Sequence, residues 1–250
     1  MVYPKEERNK HWEEIIKKYF DFKKGYVKIT TEDIKKIIKD KEIRLLLYFD
    51  SEETMPQALK ENGIMLFPNS VTSWWLIKCN GVLDLPPINT QIIKFISGVK
   101  FDLKSSNAGM GEQQYLLNTI NTGILRDFLK LGGKEFYFSM MGKQRSTEFD
   151  LTIAGHTIKI ENPGIEIDAG IEGENFAIVI EAKAKIIKGV NRRQLYFPYM
   201  HVKKMTSKPT IPIFFCWDSK TKTYNLWRFE IVNDNIEDIR LVESKRYSLI

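Results

Sequence analysis

Apolar residues return at helical spacing twice near the start of the chain, over residues 5–20 and over residues 30–41 (TTEDIKKIIKDK), and each stretch predicts a helix. Thr31 stands ahead of acids in the first turn, which makes it the expected N-cap of the second helix. MPQALKENG predicts a short helix ended by Gly63, and IMLFPNSVTSWWLIK predicts two strands around a Pro-Asn-Ser turn. Helices followed by a hairpin fit a winged-helix-like module, or a helical and hairpin extension packed on a main domain. LDLPPINT, residues 83–90, carries a Pro-Pro pair and marks the expected junction between an N-terminal region, 1–88, and a larger domain, 89–250. Beyond it, GMGEQQYLLNTINTGILRDFLKLGG sets Tyr115, Leu116, Ile120, Ile124, Leu125 and Phe128 at helical spacing ahead of Gly132-Gly133. One long amphipathic helix is predicted there. Short β-like runs follow: FYFSM, FDLTIAG, HTIKI, GIEID and NFAIVIEAKAKI. The expected class is mixed α/β.

Composition narrows this only a little. With 43% hydrophobic and 12% aromatic residues, the 250-residue chain has enough apolar side chains for a proper core. No apolar run approaches the length of a membrane span, and the charged opening MVYPKEERNKHWEE does not resemble a signal peptide, so an intracellular protein is expected. Cys79 and Cys216 have no companion at ligand spacing, which argues against a zinc site or a disulfide framework. Three histidines, His11, His156 and His201, leave little for a His-rich metal site or a Ser-His-Asp arrangement. Any metal would be held mainly by oxygen. The net charge of +6 adds a mild preference for a polyanionic partner.

The chemistry concentrates in EIDAGIEGENFAIVIEAKAK, residues 166–185. Alternation along a strand puts Ala177, Val179, Glu181 and Lys183 on one face and Phe176, Ile178, Ile180 and Ala182 on the other. Glu166 and Asp168 share a face in the preceding run. The short link 169–175 allows the two runs to fold as a hairpin, with Asp168 approaching Glu181. Two adjacent carboxylates raise each other's pKa unless something positive lies between them. Mg²⁺ suits that role, since it takes hard oxygen ligands and needs only one or two protein carboxylates. An E-x-K triplet alone is common, and its plainer reading is a solvated strand end with a weak surface ion pair.

Asp168, followed by Glu181-Ala182-Lys183 closing an apolar strand, resembles the PD-(D/E)XK nuclease signature. The helix bearing Glu112 is similar to the leading helix of that superfamily, which often contributes a further acid. NRRQLYFPYM and IPIFFCW resemble continuations found in its restriction endonucleases, so the likeness spans roughly residues 105–230. Ile167 stands where the motif has proline. Exonuclease-type members carry a glutamine and a tyrosine four apart after the lysine, whereas Gln194 and Tyr199 are five apart with Pro198 between them. That lowers the exonuclease reading.

The resemblance implies a restriction-endonuclease-like core, a central mixed sheet flanked by helices. It further implies a Mg²⁺-dependent endonuclease acting on double-stranded DNA, similar to a type II restriction enzyme. Asp168 and Glu181 would hold the metal, Lys183 would attend the attacking water, and Glu112 would assist. A homodimer follows from symmetric double-strand cleavage, and a cognate DNA methyltransferase and the cytoplasm of a prokaryotic cell follow from the type of system. The N-terminal region would contribute DNA recognition. Alternatives are a structure-selective or repair nuclease, and a DNA-binding regulator that keeps the fold without cleaving. Arg192, Arg193 and Lys185 are candidate phosphate contacts, with Lys188 beside them, although solvated charge is the default for each. Glu166 and Asp150 are candidates for a further acid; Asp150 and Glu148 fit equally the acids that begin a strand. Trp74 and Trp75 are candidate stacking residues, one of them expected in the core. His156 is expected in a turn.

Overall fold

The computed structural model describes residues 3–39, 42–49, 51–100, 102 and 111–250. The ends of three sequence readings lie outside them: Asp40 and Lys41 of the second helix, Gly109 and Met110 of the long helix, and residues 105–110 of the family likeness.

The N-terminal region wraps four helices around a small sheet. Helix α1 (Lys5–Tyr19) has Glu6 and Glu7 in its first turn and Lys17 and Lys18 in its last, signs that complement the helix dipole, and buries Trp12, Ile15 and Ile16. Strand β1 (Tyr26–Thr30) leads directly into α2 (Thr31–Ile38). The N-cap is Thr30 rather than Thr31: its hydroxyl accepts from the Asp33 N–H while the Asp33 carboxylate accepts from the Thr30 N–H. Helices α3 (Ile43–Leu47) and α4 (Gln57–Asn62) follow, and α4 ends on Gly63 at φ 62°, a left-handed cap favouring glycine. Strands β2 (Ile64–Pro68) and β3 (Ser73–Lys78) complete an antiparallel sheet of order β1-β3-β2.

Strand β4 (Val82–Asp84) pairs with β11 (Gly189–Asn191), and β5 (Ile93–Phe95) forms one edge of the large sheet. The single long helix expected after residue 109 is two helices, α5 (Glu112–Asn121) and α6 (Ile124–Phe128), because Gly123 turns the chain at φ 93°. The strands that follow are β6 (Phe136–Arg145), β7 (Phe149–Ile153), β8 (His156–Ile160), β9 (Gly164–Gly173) and β10 (Ala177–Lys183). Helix α7 (Arg192–Met205) then crosses to β12 (Thr210–Asp218), β13 (Thr223–Ile231) and β14 (Ile239–Leu249).

Seven strands form one mixed sheet of order β5-β14-β13-β12-β10-β9-β6, parallel between β10 and β12 and between β14 and β5. The molecule is therefore mixed α/β, built on one large mixed sheet with helices. Among the described residues no helix is long and apolar enough to cross a membrane.

Strand β10 lies between two hydrophobic clusters, which is why its sequence is apolar almost throughout. Ala177 and Val179 face the cluster containing α7, while Ile178, Ile180 and Ala182 face the one containing α5 and α6. The first cluster also takes in Trp12, Ile34, Phe67 and Ile77, so the N-terminal helices and sheet share a core with the C-terminal domain.

The hairpin β7–β8 is the joint between them. Asn69, fully buried, donates to Glu161 Oε2 at 3.0 Å and accepts from Trp75 Nε1 at 3.0 Å, while Lys28 pairs with Glu161 at 3.3 Å. His156 packs its ring on Tyr26 at 4.4 Å between centroids. Asn69→Ala strips several partners from this buried node and is expected to destabilise the chain by about 2 kcal/mol. Urea unfolding monitored by tryptophan fluorescence measures it, and a loss below about 0.5 kcal/mol would show that the joint carries no such weight.

Candidate functional site

The ladder between β9 and β10 runs from Ala177↔Glu172 to Ile180↔Ala169. Continued by one residue, that register sets Asp168 opposite Glu181. The ladder stops there because a side chain takes over: the Ala182 N–H donates to Asp168 Oδ2 at 2.7 Å. Two residues on, the Ala184 N–H donates to Glu112 Oε2 at 3.0 Å, which ties the start of α5 to the end of β10. Three carboxylates from three elements thus address residues 181–184.

Glu181 is the buried member, 6% exposed. Its Oε1 accepts from Lys183 Nζ at 2.6 Å and from Gln194 Nε2 at 2.7 Å. Lys183 also donates to the Ala182 carbonyl at 3.0 Å, so the ammonium is held against the strand end instead of extending into solvent. Burial pushes the Glu181 carboxyl up to about 8, the Lys183 ammonium opposes that shift, and the charges of Asp168 and Glu112 reinforce it. The close Lys183 contact suggests an ionised pair whereas the raised pKa favours the protonated acid; the upward direction prevails because burial outweighs the single neighbouring ammonium. One ammonium does not balance three acids.

Gln194 is the residue that motif reasoning set aside. Asn191 caps α7 through its side chain, which accepts from the Arg193 N–H, and the first turn then carries Gln194 to Glu181. Its Oε1 is buried without a hydrogen-bond partner. Pro198, four residues later and inside the helix, has no N–H to give the Gln194 carbonyl. A polar side chain in the first turn of an otherwise apolar helix was the available signal.

The other acids stand elsewhere. Glu166 is exposed on β9 opposite Lys143, and Asp150 is exposed on β7 opposite Lys159. Glu148 pairs with Lys159 at 2.9 Å. Neither arginine presents its guanidinium in the way a phosphate contact requires. Arg192 donates to the carbonyls of Val82, Ile236 and Glu237, and Arg193 to that of Phe49, so both knit segments together. Lys185 and Lys188 are exposed on the loop that follows Lys183. Trp74 and Trp75 are both half-buried against the core.

Cys216 sits beside Lys183 in the β10–β12 register, and burial pushes its thiol, like that of Cys79, up to about 12, so both are inert at neutral pH. His201 accepts the Thr147 N–H through Nδ1 at 3.1 Å, and burial holds it below the usual histidine range, which makes it structural. Among the described residues no group of three or more His, Cys, Asp and Glu is gathered as a metal cage. What converges is a smaller hard-oxygen set, Asp168 and Glu181, with Glu112 behind it.

No curated protein and no solved structure matches the chain. A family model described as Domain of unknown function (DUF6996) matches residues 9–76, the helical and small-sheet region. A second, described as Domain of unknown function (DUF6997), matches residues 84–248, which contain the large sheet and the whole Asp168, Glu181, Lys183 and Glu112 arrangement. That match takes in well over half of the 250 residues, and the chain belongs to the DUF6997 family.

Proposed function

We propose that this protein is a metal-dependent endonuclease that hydrolyses phosphodiester bonds in double-stranded DNA, with a restriction-endonuclease-like core and the sequence specificity of a type II restriction enzyme. The observation that carries the reading is the meeting of Asp168, Glu181 and Lys183 at the end of a buried strand, with Glu112 joined to the same strand end. A solvated E-x-K strand end has no reason to bury its glutamate or to gather two further carboxylates around it.

The donor set fits Mg²⁺. It is all oxygen, carries more negative charge than its one ammonium neutralises, and offers the one or two protein carboxylates this ion requires. Asp168 and Glu181 would hold it, and when bound it supplies a coordinated water of lowered pKa and offsets charge developing on phosphorus. The chain's own groups do the rest. Lys183 Nζ, fixed by Glu181 and the Ala182 carbonyl, is placed to orient the attacking water or take its proton. Gln194 holds Glu181 in place, and Glu112 and Asp168 fix the backbone on which Lys183 is mounted. Lys185 and Lys188, exposed beside it, suit DNA phosphates.

The N-terminal order α1-β1-α2-α3-α4-β2-β3, with β3 between β1 and β2, supports a winged-helix-like recognition module. A homodimer acting on a symmetric site, a companion DNA methyltransferase and a cytoplasmic, prokaryotic setting belong to the same reading. The test is incubation with a mixed-sequence plasmid and Mg²⁺, for which discrete bands are expected. A smear would reject sequence specificity, and intact supercoiled plasmid would reject the nuclease. Ca²⁺ is expected to support DNA binding with little cleavage, because its larger, looser shell places the water poorly. Full activity in excess chelator would remove the metal from the mechanism.

A further inference from the structure

The two edges of the large sheet are treated differently. One is closed by β5, three residues long. The other is β6, ten residues without a proline, with its outer backbone edge unpaired within the sheet. Proteins blunt such edges by shortening them or studding them with charge. Strand β6 instead exposes Tyr137 (66%), Phe138 (41%) and Met141 (37%). Its register with β9 slips on either side of Met140, leaving two regular arms that flank a bulge.

Charge is segregated along the strand. Glu135 lies just before one end and is exposed; Lys143 and Arg145 lie at the other and are exposed. Antiparallel pairing of β6 with itself about Met140 sets Glu135 against Arg145 of a second copy and Tyr137 against Lys143, and two-fold symmetry forms each pairing twice. A cation then faces an acid, and another cation faces a ring whose π-system attracts it. No other register centred on the bulge brings Glu135 to Arg145.

We infer that β6 is the self-association edge of this protein and that its partner is a second copy of the chain, joined into a continuous sheet across a two-fold axis near Met140. The need for a dimer rests on the nuclease reading, whereas the choice of surface rests on β6. Asp168 falls on β9 next to Ile167, which pairs with Gly142, so the axis brings both candidate sites close to it. The two Asp168-bearing strands would be three strand spacings apart, roughly 14 Å, which suits two sites acting on one duplex.

The experiment is sedimentation of the full chain, without DNA, for the wild type and three variants. Wild type is expected to dimerise, Glu135→Arg and Arg145→Glu each to weaken association at least tenfold, and the double variant Glu135→Arg/Arg145→Glu to restore it. All four should melt at the same temperature, since these side chains are exposed. A monomeric wild type, single variants that associate as wild type does, or a double variant that stays dissociated each overturns the inference. Plasmid cleavage measured on the same samples separates the two readings: a dimer broken by the charge reversals that never cuts DNA rejects the nuclease and keeps the interface, and a cutting monomer does the reverse.

Discussion

Lys183→Ala and Asp168→Ala are each expected to abolish plasmid cleavage while leaving the fold and DNA binding in place. Loss of the Lys183 ammonium removes the group nearest the attacking water, a change of roughly 10²- to 10⁴-fold in rate for a positioned acid–base group. The fold survives because Glu181, whose pKa already lies at about 8, takes up a proton once its counter-ion is gone. Asp168→Ala removes a metal ligand and frees the Ala182 N–H, but Asp168 is only partly buried and water can reach the vacated position. Both losses strike the transition state more than the DNA contacts. The measurements are single-turnover conversion of supercoiled plasmid in Mg²⁺ and fluorescence anisotropy of labelled duplex in Ca²⁺. Wild-type cleavage by either variant would show that the strand end is not the reacting centre.

The second large effect is on stability and has the opposite sign from most carboxylate substitutions. A glutamate raised from 4.5 to about 8 on folding is bound to its proton more tightly in the folded chain than in the unfolded one. Folding stability is therefore greatest below the unfolded value and falls as pH rises from about 4.5 to about 8. Glu181→Gln removes that dependence and keeps a side chain of the same shape beside Gln194. The variant is expected to be more stable than wild type at pH 8 by a few kcal/mol, or roughly 5–10 °C in Tm, and nearly equal to it at pH 4.5. Added Mg²⁺ should stabilise the wild type at pH 8 more than the variant, because it restores charge balance only where the carboxylate remains. Thermal melts at both pH values, with and without the ion, measure this; a variant less stable than wild type at pH 8 would mean that the ion pair with Lys183 outweighs burial.

The period of a strand and the reach of a hairpin are local properties, and they were enough to read β9, β10 and the approach of Asp168 to Glu181 from sequence. The cap of α4 at Gly63 was legible for the same reason. The break between α5 and α6 was not, because Ile120, Ile124, Leu125 and Phe128 keep one helical phase straight through Gly123. At the start of α2 two threonines stand side by side, and only the spacing to Asp33 selects Thr30. The roles of Arg192, Arg193 and Gln194 are decided by groups distant in sequence: the Phe49 carbonyl, the Val82 and Ile236 carbonyls, and Glu181 one strand earlier. Contacts of that kind are set by packing, and no spacing rule announces them. Glu181 shows the limit from the other side, since its residue type and position were readable but its burial was not.

The core shared by the two halves has a consequence for how such a protein can be diversified. A recognition module tethered by a loose linker can be exchanged like a cassette, carrying a new specificity onto an unchanged engine. Here Phe67 and Ile77 on the small sheet belong to the same cluster as Tyr196 and Phe197 on α7, and Asn69 and Glu161 lock the seam. A chimera joined between residues 78 and 82 would meet a foreign wall with unmatched volume and an orphaned carboxylate. Retargeting has to proceed by substitution on outward surfaces of the existing halves, and grafting would succeed only between parents whose seam residues already agree.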